Sequence, residues 1–191
     1  MFDKSFYEGE IFEKLQYPGV KAQRIEFENC TFKQSDLSEA DFSRCKFMDC
    51  VFEDCNLSVA NLDGAMLNDV RFKACKILGV NFSKCDDFLF GVAFDGCVMD
   101  YASFAAKKMV KTSFVKCSLK EVSFTEAILT NSVFTDCDLD NAVFNHTDLS
   151  GVNFSTAYNF IIDPELNTLR RALFDVSGLP NLLTRHGIKV V

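Results

Sequence analysis

A chain of 191 residues, 48 % hydrophobic and with a formal charge of −7, has the composition of one folded domain. That charge argues against direct nucleic-acid binding. No apolar run reaches the eighteen or so residues of a membrane-spanning helix, and the start carries no signal-peptide pattern. Nine cysteines in such a chain point to reduced thiols in the cytoplasm rather than to a disulfide scaffold.

Residues 1–24 read as an N-terminal cap. Phe2, Tyr7, Phe12 and Tyr17 are spaced by five, but no small partner residues accompany them and Pro18-Gly19 reads as a turn.

Residues 25–158 carry a repeat. Phenylalanine is over-used, with 21 Phe and no Trp, and the excess falls on a period of five. From Phe27 every fifth residue is large and apolar through Phe32, Leu37 and Phe42 to Phe82. The series slips by two and resumes at Leu89, Phe94, Met99 and Phe104, continuing to Phe154. Two residues before most centres stands a small or β-branched residue: Cys30, Ser35, Ala40 and Cys45 early on, Cys137, Ala142, Thr147 and Val152 late. A period of five suits neither a helix of 3.6 nor a strand of two. A chain that makes a quarter turn every five residues accounts for it, with both series facing a narrow shared axis.

The slip at 83–88 predicts a corner insertion or a functional protrusion, with Asp87 or Phe88 out of register. Lys107 stands where a small inner residue belongs, which implies a reshaped corner or a lysine that snorkels outward. Eight of the nine cysteines take the inner place, Cys85 being the exception, so they read as core filler, with no metal or cofactor expected. The two histidines, His146 and His186, belong to no catalytic motif, and no enzymatic activity is expected.

From Lys107 to Lys120 there are five lysines and no acid. From Glu121 to Tyr158 there are six acids, Glu121, Glu126, Asp136, Asp138, Asp140 and Asp148, and no Lys or Arg. Residues 159–191 read as a C-terminal cap and dimerisation segment. A helix is predicted from Asp163 as N-cap and Pro164 as its first residue, with Arg170-Arg171 near its end. Ala172 and Phe174 follow as one more inward pair, then a short apolar helix from Leu179 and a final strand. Leu179, Leu182, Leu183 and Ile188 are the predicted dimer contacts.

The segments Ala40-Asp41-Phe42, Ala60-Asn61-Leu62 and Cys137-Asp138-Leu139 closely resemble the pentapeptide-repeat family. The resemblance implies an all-β fold, a right-handed quadrilateral β-helix. The tail Leu182–Val190 resembles the quinolone-resistance Qnr group and its mycobacterial relatives, which implies rods joined tail to tail as a homodimer. It also implies a mimic of duplex DNA whose partner is DNA gyrase or topoisomerase IV, the six acids standing in for phosphates. The alternative is an interaction scaffold with an unrelated protein partner, since a fold does not fix a function.

Overall fold

The structure is a computed structural model and describes residues 2–188. Each pentad builds one wall of a square coil, and four walls return the chain above its starting point as a right-handed β-helix. The second wall is a seven-stranded parallel ladder: Ile11–Glu13 (β2), Thr31–Lys33 (β4), Val51–Glu53 (β6), Val70–Lys73 (β8), Val92–Asp95 (β9), Ser113–Val115 (β10) and Val133–Thr135 (β11). The first wall pairs Phe6–Glu8 (β1), Glu26–Glu28 (β3), Lys46–Met48 (β5) and Met66–Asn68 (β7). The third and fourth walls stack through single parallel bridges such as Asp36↔Asn56 and Asp41↔Asn61.

Local chemistry makes the corners. The amide three residues beyond a centre returns to its carbonyl, as Ala60 N does to Leu57 O at 3.0 Å. The second residue after the centre commonly adopts a left-handed backbone, as at Asn29 (φ 52°), Val59 (φ 59°) and Asp136 (φ 52°). The residue before the centre is often Asp or Asn because its side chain accepts from the amide two places on: Asp36 from Ser38 N at 3.1 Å, Asn56 from Ser58 N at 3.1 Å. The next coil meets the same chemistry, since Asn56 Nδ2 donates to Asp36 Oδ1 at 3.1 Å.

Inside, both predicted series are buried, Leu89 excepted. On the second wall nine phenylalanine rings, from Phe12 to Phe174 by way of Phe94 and Phe114, stack with centroids 4.6–5.3 Å apart. Rings from opposite walls meet edge-on across the axis, Phe114 against Phe124 at 5.9 Å. Where Leu62 and Leu67 stand in place of the rings that Phe42 and Phe47 supply one coil earlier, an apolar void of about 10 Å³ remains.

Some details differ from the sequence reading, while Asp87 and Phe88 do stand out of register as expected. Residues 2–24 cover the end of the core by forming a coil of their own, with Tyr7 stacked on Phe27 and Phe12 on Phe32, and Gln16 and Lys21 bridging to the coil above. At the slip Leu89 is not inward. It is 58 % exposed with φ 54°, Phe88 is exposed beside it, and Phe90 packs on the core instead. Cys85 is in register after all, five residues on from Val80, and is buried. Asp87, next in the series of centres, points out, because a carboxylate cannot enter a dry core.

No helix follows Asp163. Its carboxylate does cap a turn, accepting from Glu165 N at 2.9 Å, but Asn167 Nδ2 then bonds Phe144 O at 2.7 Å. Thr168 and Leu173 return to the ladder against Asp148 and Asn153. Phe174 stacks on Phe154, so the coil runs on past the predicted boundary at 158. The C-terminal helical segment is two short 3-10 turns, Val176–Leu182 and Thr184–His186. The strand expected at the end falls on 189–191, outside the described residues.

Candidate interaction surface

A quarter turn per pentad distributes neighbours in sequence around the rod, and the acids obey it. Asp138 lies on the third wall between Ser118 and Tyr158, while Asp148 lies on the first wall between Ile128 and Thr168. Glu126 sits at a fourth-wall corner, where its amide bonds Asn145 O at 2.8 Å. Four of the six predicted acids therefore collect on the third wall and its flanking corners: Glu121, Asp136, Asp138 and Asp140. Glu121 is tied to that wall by its amide bond to Asp140 O at 2.9 Å. Asp100, absent from the predicted set, joins them one coil below Lys120, accepting from Ser118 Oγ at 2.6 Å and Lys120 N at 3.0 Å. Its signal was a spacing of twenty residues below Lys120 rather than membership of an acidic run.

The patch is not purely anionic. Lys120 Nζ lies 3.2 Å from Asp138 Oδ2, and Asn159 Nδ2 donates to Asp138 Oδ1 at 2.8 Å. Burial opposes ionisation of Asp138, but the bonds from Asn159 and Lys120 outweigh it and hold the carboxyl below its ordinary value. On the first wall, the bond from Ser150 and, against burial, that from Thr130 lower Asp148 as well. The lysine block is scattered too: Lys108 on the first wall, Lys116 and Lys111 at corners, Lys120 on the third wall.

Lys107 is buried, and the corner around it is reshaped. In a regular coil the inner residue's carbonyl accepts an amide from the coil above, as Ala65 O does from Asp86 N at 2.8 Å. At Cys85 the insertion shifts that geometry, and the ammonium of Lys107 bonds the carbonyl instead. The same nitrogen lies 2.6 Å from Asp87 Oδ1 and 5.0 Å from the centre of the Phe90 ring. One lysine thus pins the outward carboxylate and the inward ring of the insertion.

At the C-terminal end Leu182 packs on the last coil, while Leu179, Leu183 and Ile188 are exposed together with Leu173 and Val176. Arg185 holds the tail down, its Nη1 lying 2.8 Å from both Asp163 Oδ2 and Glu165 Oε2. Among the described residues no three ligating side chains converge on a metal position, and no helix is long and apolar enough to cross a membrane.

Two family models match: "Pentapeptide repeat region" over residues 25–104 and "Pentapeptide repeats (8 copies)" over 117–155, together well over half the chain. No curated protein sequence matches. Among solved structures, a trypsin-treated variant of QnrB1, a plasmid-mediated fluoroquinolone resistance protein, is 18 % identical with a TM-score of 0.68, covering 97 % of each chain. A second trypsin-treated variant is 19 % identical with a TM-score of 0.65, covering 97 % of this chain and 91 % of that one. Full-length QnrB1 is 19 % identical with a TM-score of 0.52, covering 93 % of this chain and all of the other. At such identities the likeness is one of fold.

Proposed function

Because the chain belongs to the pentapeptide-repeat proteins, we propose that it is a non-enzymatic binding protein, a rigid mimic of duplex DNA that occupies the DNA-binding surface of a type II topoisomerase. The observation that carries this reading is the grouping of Asp100, Glu121, Asp136, Asp138 and Asp140 on the third wall and its flanking corners, on a rod whose backbone is bonded from coil to coil. Carboxylates fixed on a stiff support meet a basic channel without an ordering cost, which favours association over a flexible acidic tail. In this reading the exposed apolar residues Leu179, Leu183 and Ile188 join two rods tail to tail in the cytoplasm. Residues 25–158 supply the binding surface, and 159–191 supply the cap and the junction.

The test is a gyrase supercoiling assay with and without a fluoroquinolone, alongside sedimentation for mass. Inhibition or protection by the native chain should disappear in an Asp136→Lys/Asp138→Lys/Asp140→Lys variant that still sediments as a dimer. A native chain without effect on gyrase or topoisomerase IV rejects the mimic. The second reading, an interaction scaffold with an unrelated protein partner, is favoured by the Lys120–Asp138 pair inside the patch and by the placement of Glu126 and Asp148 on other walls.

A further inference from the structure

The two-residue insertion raises an apolar knob where the first wall turns into the second. Phe88 is 63 % exposed and Leu89 58 %, with Val110 exposed one coil above. The knob is held rigidly. Phe88 N donates to Asp86 Oδ1 at 2.8 Å, and Lys107 fixes Asp87 from the coil above at 2.6 Å. Gly91 N then donates to Leu67 O at 2.8 Å, which returns the chain to the ladder. A Cβ on Gly91 would stand 3.3 Å from Asp69 N, so glycine lets that return pass close to the coil below. Absorbing two extra residues does not require two large apolar side chains in solvent, and a rigid apolar projection is the form that a docking anchor takes.

We infer that this knob docks on a second copy of the chain, in a groove that lies beside it on the same corner. The groove has a volume of about 450 Å³. Phe90, Gly91 and Ala93 line its middle, with Arg71 on the coil below and Lys111 and Ser113 on the coil above. Ala93 stands in register between Arg71 and Ser113 on β8, β9 and β10, so its short side chain leaves a dip in the second wall.

Position and charge select this occupant. Knob and groove lie at one height of the rod, because Phe90 to Ala93 follow Phe88 and Leu89 directly in the same coil. A two-fold axis between them carries each knob to the other chain's groove, the self-complementary contact of a symmetric dimer. Around the knob, Asp86 and Asp87 outnumber Lys107. Around the groove, Arg71 and Lys111 outnumber Asp69, which lies 3.6 Å from Arg71. Opposite charges therefore meet twice across the axis. The corner does not border the third wall, so the contact uses none of the acids grouped there, and it is separate from the tail.

Because the tail is also proposed to join chains, the test uses full-length chains that carry Leu179→Ser/Leu183→Ser, with sedimentation equilibrium over a range of concentrations as the readout. With the corner intact, such chains should still dimerise. Phe88→Ser/Leu89→Ser removes the knob, and Ala93→Glu fills the groove and repels the acids beside the incoming knob. Each should weaken the dimer about 30-fold or more. The altered side chains face outward, and circular dichroism melts check that every variant folds. Mixed together, the two variants regain one of the two contacts, since the chain with a filled groove still offers its knob to the open groove of the other. The mixed pair should be about fivefold tighter than either variant with itself. A tail variant that stays monomeric, a dimer indifferent to loss of the knob, or a mixture no tighter than its parts overturns the docking.

Discussion

Truncating Asp87 to alanine should destabilise the rod more than a side chain that is 83 % exposed would suggest, because its partner Lys107 is only 2 % exposed. Removing one member of a fully buried ion pair costs about 3–5 kcal/mol. With the carboxylate in solvent the loss is smaller, about 1–3 kcal/mol. Lys107→Met keeps the length of the stem and removes the charge, leaving the Cys85 carbonyl without its donor at about 1–3 kcal/mol. Relief from burying an ammonium offsets part of that. In the Lys107→Met background Asp87 has nothing to neutralise, so Asp87→Ala should cost less than about 0.5 kcal/mol there. A four-member cycle followed by urea denaturation reads the difference as a coupling of about 1–3 kcal/mol. The same cost for Asp87→Ala in both backgrounds refutes the reasoning and makes Lys107 a passive stem.

Phe114→Ala removes a ring from the middle of the nine-ring stack and should cost about 3–5 kcal/mol, whereas Asp140→Ser on the third wall should stay within about 0.5 kcal/mol. Equal melts would dismiss the register. Leu62→Phe should bridge Phe42 to Phe82, fill the neighbouring void and add about 1 kcal/mol, seen as a higher Tm; a lower one would mean that the coil is already full. Val59 holds φ 59° with a β-branched side chain, so Val59→Gly should stabilise by about 1 kcal/mol, and a loss would contradict the corner geometry. Burial pushes the thiols of Cys45, Cys50 and Cys85 up to about 11, 12 and 12. Unfolded thiols ionise near pH 8.5, so above about that pH the unfolded chain releases protons that the rod retains. Stability should therefore be full below about pH 8.5 and fall as pH rises to about 12, and a flat Tm across that window counts against buried, neutral thiols.

Most of the rod was legible because its rule is local: one large and one small apolar residue per five. The failures came where that rule meets a competing signal. Leu89 fitted the series of centres by type, but three residues after Phe82 stands Cys85, the small residue that opens the next pentad, so the register had already continued past the supposed break. Asp163-Pro164 carries real capping chemistry, which a turn uses as readily as a helix. Leu169 and Phe174, twenty residues beyond Leu149 and Phe154, marked the coil as continuing. The acidic run misled for a geometric reason. A run longer than a pentad spreads over several walls, and a spacing of twenty stacks residues on successive coils, as it does Asp100, Lys120 and Asp140. Lys107 showed as an anomaly, but its partners lie a coil away and no local pattern pointed to them.

The two extra residues near Asp87 are absorbed within one corner: bridges that span twenty residues elsewhere span twenty-two across it, as from Lys76 to Val98, and revert to twenty at once. Each coil answers only to the coils directly above and below it. Heredity can therefore treat the length of this molecule as adjustable. A tandem duplication spanning one full coil would leave every stacked ring with a partner, and a deletion of the same span would close without a seam. A duplication one residue longer would turn an inner face outward along everything that follows. Such a rod is a ruler that lengthens by whole graduations, and a partner that measures it would select among lineages by count rather than by sequence.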